Sequence, residues 1–358
     1  MSWASSSERR VPLASPIRVM IVEDSAVVRA LLVHIVSADP RLSVAAAVAS
    51  AEEAIAALPA VRPDVISMDI RLPGMDGLEA TRRIMAERPT PIVVISASIE
   101  KASLGSTMAA LSAGALSVVE KPVGLSGRDY EPIAREICTQ LAIMSQVAVV
   151  RRRMRTPSSG EAPPPRPRRE PRLIVCAAST GGPQALARLF AALPADLALP
   201  VLLVQHMGTA FMDGFARWLD GVVPQRVLIA QAGAQPRPGE IHVAPGDRHL
   251  RLDAEGRLLI DSDPPIAGQR PAATALFASA ADALDGAAIG VVLTGMGSDG
   301  ADGVRALLAA GGAVIAEHEN SAVVYGMPAA AVRAGALALP LDLIAPHLLR
   351  SIPRKAPE

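Results

Sequence analysis

Aromatic side chains are scarce, only 2% of 358 residues. That removes the stacking platforms on which single-stranded nucleic acids are held. An excess of either charge is also missing, because 35 Lys and Arg balance 35 Asp and Glu. Neither nucleic acid nor an anionic membrane is therefore an expected partner. The two cysteines, Cys138 and Cys176, lie among apolar neighbours and form neither a disulfide framework nor a CxxC metal motif. A reducing, cytoplasmic compartment fits that usage. No stretch reaches the roughly 18 uninterrupted apolar residues of a membrane span. The start, MSWASSSERR, lacks the apolar centre of a secretory signal. The expectation is a soluble cytoplasmic protein, without direct membrane insertion, carrying a disordered tail over residues 1–15.

Hydrophobic residues make up 50% of the chain, enough for two cores of ordinary size. From Ile17, short apolar runs alternate with stretches whose apolar residues recur at helical spacing. The runs are IRVMIV, LSVAAAV, DVISMD, PIVVIS and ALSVVE, ending at Glu120. Five such repeats predict a doubly wound, flavodoxin-like parallel sheet over residues 16–135. Residues 136–171 read as a helix end and an extended linker. Between Arg151 and Arg172 there are eight Arg, two Glu and six Pro, with almost nothing to bury against the entropy of ordering. A second Rossmann-like α/β domain is expected over 172–350, its middle from Val227 to Ile260 forming a β-hairpin region laid over the parallel core.

Glu23 and Asp24 directly follow the first strand, and Asp69 closes the third. Neighbouring strand ends place these carboxylates in one cavity, where a hard divalent cation relieves their repulsion; Mg²⁺ favours such a donor set. Ser96 after the fourth strand and Lys121 after the fifth fall on the same edge. A hydroxyl and an ammonium there can hold the oxygens of an acyl phosphate on Asp69. Taken alone, Asp24 has a plainer reading as a helix N-cap. As a set, VEDSAVVR, MDIRLPGMDG, SAS and EKP in this order resemble the receiver domain of two-component response regulators. The resemblance implies Asp69 as phosphoacceptor, Glu23 and Asp24 with Asp69 as the Mg²⁺ site, Ser96 and Lys121 as switch residues, and a histidine kinase as phosphodonor. Val118 stands where such domains usually carry an aromatic switch residue.

In the second half, Ser179, His206 and Asp299 each lie just beyond an apolar run: LIVCA, LPVLLVQ and AIGVVL. Runs apolar on both faces read as buried parallel strands, and ligands bind outside the carboxyl ends of such strands. A hydroxyl, an imidazole and a carboxylate at one edge make a nucleophile, a general base and an orienting acid. Each has a plainer reading. Ser-Thr-Gly-Gly after a strand also makes a phosphate-binding turn, a lone histidine after a strand is commonly a surface residue, and Asp299 or Asp302 can cap the following helix.

AASTGG, QHM, LTGMGSDGA, HVAPGDRHL, GQRPAATALFASA and ENSAVVYGMPAAA together resemble the catalytic domain of the chemotaxis protein-glutamate methylesterases. That resemblance implies hydrolysis of glutamate methyl esters on methyl-accepting chemoreceptors, and deamidation of receptor glutamines, with no cofactor for ester hydrolysis. It implies Ser179, His206 and Asp299 as catalytic residues, the backbone N–H of Met296 as an oxyanion donor, and Thr180 as a neighbour shaping the site. Ala272 departs from the serine common after Arg-Pro. The competing reading is a regulator without enzymatic activity, whose hydrolase-like domain binds a partner when Asp69 is phosphorylated.

Overall fold

The computed structural model describes residues 15–96, 115, 117–122, 127–147 and 168–352. The tail expected over 1–15 and the Arg/Pro-rich linker lie almost wholly outside these residues.

The first domain is a five-stranded parallel sheet built from β1 (Ile17–Val22), β2 (Leu42–Val48), β3 (Val65–Met68), β4 (Ile92–Ser96) and β5 (Ser117–Glu120), in the order β2-β1-β3-β4-β5. The predicted doubly wound order is thus present. Val19 to Val22 are buried because helices cover both faces. Three of those helices are capped as their sequences dictate. Ser25 starts α1 (Ala26–Ala38), Ser50 starts α2 (Ala51–Val61) and Asp76 starts α3 (Gly77–Glu87), each accepting a backbone N–H three residues on. Asp24 is therefore not the cap of the first helix. Gly77 is obligatory, since a Cβ there would lie 2.0 Å from the carbonyl oxygen of Asp69. The chain beyond Asp69 folds back on itself at that contact. Helix α4 (Gly127–Met144) packs Ile137, Cys138 and Leu141 into the core.

In the second domain a seven-stranded sheet, parallel throughout, has the order β14-β13-β12-β6-β7-β9-β8. Its strands are β6 (Leu173–Ala178), β7 (Val201–Gln205), β8 (Arg226–Ile229), β9 (Glu240–Val243), β12 (Ala288–Val292), β13 (Ala313–Glu317) and β14 (Leu337–Leu339). The expected β-hairpin is β10 (His249–Leu252) with β11 (Leu258–Asp261). Val227 to Val243 corrects the prediction, because β8 and β9 join the main sheet instead of the hairpin. Both are four residues long, and β8 lies at the sheet edge with only Val227 fully buried, so its pattern alternates like that of a hairpin strand.

One face of this sheet carries α5 (Gly182–Ala191), α6 (Thr209–Val222) and α10 (Leu341–Ser351); the other carries α7 (Ala273–Ala283), α8 (Ala301–Ala309), α9 (Met327–Arg333) and the hairpin. Chain order reverses between β6 and its neighbour β12, so the crevice for ligands opens beyond their carboxyl ends. Among the described residues no helix is long and apolar enough to cross a membrane.

Phe277 shows how closely the layers meet. A Cβ on Gly290 of β12 would lie 2.8 Å from its ring, and one on Gly303 of α8 would lie 2.6 Å from its own Cβ. Phe277→Ala is expected to destabilise the second domain by roughly 3–5 kcal/mol, read from urea or thermal unfolding.

Candidate active site

Three backbone hydrogen bonds assemble the switch-point edge. Ser179 N–H donates to Thr294 O at 3.0 Å, His206 N–H donates to Ala178 O at 2.9 Å, and Gly182 N–H donates to Ser179 O at 2.8 Å. Ser179 therefore sits at the turn from β6 into α5. Gly181 makes that turn with φ +75°, and a side chain there would strike Val323. The amide of Gln205, 1% exposed, donates to Ser179 O at 2.9 Å and to His206 O at 2.8 Å. A single side chain thus ties the backbone of the serine turn to that of the histidine.

His206 Nε2 lies 2.9 Å from Asp299 Oδ2, with both side chains almost completely buried. The carboxylate does more than face the ring. Its Oδ2 accepts Ala273 N–H at 2.6 Å, while its Oδ1 accepts Thr274 N–H at 3.1 Å and Gly300 N–H at 2.8 Å. Ala273 and Thr274 open helix α7, whose own N-cap position, Ala272, has no side chain able to bond them. Asp299 supplies the missing cap from across the site. The cap reading of Asp299 is thus realised, on a different helix from the one that follows it, and jointly with the contact to His206. Asp302 takes no part, being exposed and paired with Arg305. Burial pushes the Asp299 carboxyl up, yet His206 and the Thr274 bonds outweigh it and hold the acid below its ordinary range.

His206 Nδ1 is buried and has no hydrogen-bond partner among the described residues. With Nε2 committed to Asp299, Nδ1 is the atom left to accept a proton. Ser179 and His206 line one cavity of about 540 Å³, although no hydrogen bond joins Ser179 to the ring in this arrangement. The sequence-based expectation that the trio shares one edge is met; direct bonding of hydroxyl to imidazole is not seen. Other histidines are engaged elsewhere. His242 bonds Glu240, and His249 accepts Ala272 N–H through Nδ1. Neither cysteine competes as nucleophile, since burial pushes Cys138 up to about 11 and Cys176 higher still.

Across the cavity from Ser179 lies the first domain, with Val118 of β5 and Arg135, Glu136 and Gln140 of α4 in the wall. Gln184 Nε2 of α5 bonds Ala115 O at 3.2 Å, and Val323 and Val324 pack on the first domain's core. The first domain therefore roofs the edge where Ser179 stands.

In the first domain, Lys121 Nζ lies 2.8 Å from both Glu23 Oε2 and Asp69 Oδ2. Burial would lower the ammonium, but Asp69 and Glu23 together raise it. Burial and the charge of Asp69 push the Glu23 carboxyl up despite the Lys121 hydrogen bond. Carboxylate oxygens of Glu23, Asp24 and Asp69 lie within 4.8 Å of one another, a set of hard donors that fits Mg²⁺. Ser96 ends β4 beside them, 4% exposed.

Sequence reasoning passed over Gln205, Thr294 and Glu317. Each is a polar residue closing or following an apolar run, and each is 0–1% exposed. That position, a polar side chain held at a buried strand end, is the signal that would have found them.

The fold and the two strand-end clusters define a response-regulator receiver joined to an α/β domain of the methylesterase type. Residues 19–127 match the family description "Response regulator receiver domain", and residues 174–348 match "CheB methylesterase". Protein-glutamate methylesterase/protein-glutamine glutaminase 2 of Paramagnetospirillum magneticum is 49% identical over 340 residues, spanning 93% of this chain and 96% of the relative. Enzyme 4 of the same name from Myxococcus xanthus is 45% identical over 325 residues, spanning 89% and 92%. The crystal structure of the Thermotoga maritima CheB methylesterase catalytic domain is 35% identical, covers 51% of this chain and 98% of its own, and superposes with a TM-score of 0.49. The chain belongs to the protein-glutamate methylesterase/protein-glutamine glutaminase family.

Two outcomes follow from the geometry. A Cβ on Gly295 would lie 2.7 Å from Ser179 Cβ and 2.6 Å from Met327 Sδ. Gly295→Ala should therefore displace Ser179 and lower kcat for ester hydrolysis by about 100-fold in a folded protein. Asp299 titrates below its unfolded value, so its contribution to stability is complete above about pH 3.9 and is lost as pH falls through the lower folded value. Denaturant unfolding should find Asp299→Asn less stable than wild type at about pH 7, with the gap closing below about pH 4.

Proposed function

We propose that this protein hydrolyses glutamate methyl esters on chemoreceptors, and deamidates receptor glutamines, at Ser179, under control of phosphorylation at Asp69. The observation that carries this reading is the buried His206 ring, held through Nε2 by Asp299 and unpartnered at Nδ1, on a residue that lines one cavity with Ser179. In this arrangement Nδ1 takes the Ser179 proton as the hydroxyl oxygen bonds to the ester carbonyl carbon. Asp299 keeps the other proton on Nε2 and stabilises the imidazolium. The imidazolium then gives its proton to the departing methoxide, which leaves as methanol, or to the amide nitrogen, which leaves as ammonia. Water, deprotonated by the same ring, cleaves the acyl-serine to glutamate and restores the hydroxyl.

Negative charge on the carbonyl oxygen falls where the Met296 N–H is available, at a loop packed directly against Ser179. Thr180, buried beside the nucleophile, shapes the floor of the same pocket. Ester hydrolysis at this site requires no cofactor.

In the receiver, Glu23, Asp24 and Asp69 would hold Mg²⁺, which when bound neutralises charge during phosphoryl transfer from a histidine kinase. Lys121 and Ser96 are set to hold the phosphoryl oxygens on Asp69. Phosphorylation would draw Lys121 away from Glu23 and alter the β4–β5 edge, next to the wall that Val118 lends to the cleft. A differential interaction of only about 1–3 kcal/mol suffices for such a switch. The domains act in the cytoplasm, at the receptor's signalling helices.

Ser179→Ala is expected to abolish methanol release from methylated receptor while Mg²⁺-dependent phosphorylation by a small acyl-phosphate donor continues; release at the wild-type rate would remove the nucleophile assignment. Asp69→Asn should keep basal turnover and lose stimulation by the donor, and a stimulated variant would end the switch assignment.

A further inference from the structure

The β12–β13 ladder ends at the pair Val292 and Ala316. Beyond it β13 continues for one residue, Glu317, whose backbone pairs outward with Leu339 of β14. On the other side the next inward N–H, that of Thr294, has lost its main-chain acceptor. Glu317 supplies one with its side chain: Oε2 accepts Thr294 N–H at 2.9 Å, with Thr294 0% and Glu317 1% exposed. No cation neutralises this carboxyl at bonding distance among the described residues, for Arg188 is paired with Asp342 at 2.6 Å. Burial accordingly pushes Glu317 up. An acid kept there carries a desolvation cost, so what it holds is informative.

Thr294 has no idle polar atom. Its carbonyl accepts Ser179 N–H at 3.0 Å, and its hydroxyl donates to Thr180 O at 2.9 Å and accepts Val324 N–H at 2.8 Å. The following peptide is pinned as well, with Gly295 N–H on Val324 O at 3.0 Å and Met327 N–H on Gly295 O at 2.8 Å. The plane that aims the Met296 N–H is thus fixed by Thr294 and by the 321–327 segment. Glu317 is bonded to the first of these, through Thr294 N–H.

We propose that Glu317 is a positioning residue for hydrolysis: by holding Thr294 N–H, its carboxyl sets the Met296 N–H and the Ser179 backbone in the geometry that the transition state requires. The inference rests on Ser179 being the nucleophile. Its test uses the full-length protein and methylated receptor, with kcat and KM measured well below each variant's Tm. Glu317→Leu should lower kcat by about 10- to 100-fold while KM stays within about twofold, because the lost contact matters to the developing oxyanion more than to substrate binding. Glu317→Gln, whose Oε1 can still accept Thr294 N–H, should recover kcat to within about threefold of wild type.

A folded Glu317→Leu with wild-type kcat overturns the proposal, and so does a Glu317→Gln that falls as far as Glu317→Leu. If Glu317→Leu does not fold, Glu317→Asp decides: the acceptor is withdrawn by one methylene with its charge intact, so lower kcat at unchanged KM supports the role and wild-type kcat refutes it. Wild-type methanol release that disappears in Ser179→Ala carries the underlying reading separately. A flat Glu317 series measured against that active wild type rejects this inference alone.

Discussion

The bond between Asp299 and His206 is one of four that the same carboxylate makes, and the rest of the site is arranged around that sharing. Three of its partners are backbone N–H groups, two of them at the start of α7. A helix opening onto a buried edge needs acceptors for its first amides. Here Ala272 offers none, and an acid from the neighbouring loop fills the role. The ring of His206 is consequently anchored to a rigid helix instead of to a mobile side chain. The His206 contact and the Thr274 bonds favour the ionised acid, which offsets the burial that would neutralise it.

The other half of the site depends on where parallel ladders stop. β6, β7 and β12 end within a residue or two of one another, and their last hydrogen bonds leave Ser179, His206 and Thr294 at one rim. Side chains then supply partners at the rim: Gln205 for the carbonyl of His206 and, beside Gly182 N–H, for that of Ser179, and Glu317 for the amide of Thr294. Such replacement suits a reactive edge. Buried amides and carbonyls must be satisfied, and satisfying them with side chains fixes the geometry without extending the sheet across the crevice.

Much of this was legible in the residues. Strands buried on both faces read as continuous apolar runs, so β1, β3, β6, β7 and β12 were marked correctly to within a residue or two. The rule that ligands bind beyond the carboxyl ends of such strands then placed Ser179, His206 and Asp299 together. β8 and β9 were misplaced because short strands toward an edge alternate like a hairpin, and periodicity does not report which neighbour a strand pairs with. The double duty of Asp299 was equally hidden. Capping was legible as a possibility, but the helix it caps lies about 25 residues earlier in the chain, a relation that only packing creates. Which imidazole nitrogen faces the acid, and that Glu317 reaches across to β12, are tertiary facts of the same kind.

The route by which the two domains are joined has its own consequence. Chain re-entering the second domain is fastened at the amino ends of the strands, where Arg168 N–H bonds Gly311 O and Arg172 N–H bonds Ala287 O. Its catalytic rim is at the opposite ends. Between 147 and 168 there are about 20 residues, and fully extended they span at most roughly 70 Å. A roof that lets go of the rim is thus leashed from the far side. It stays at an effective concentration on the order of millimolar, so recapture competes at every moment with whatever enters the cleft, however dilute the protein is.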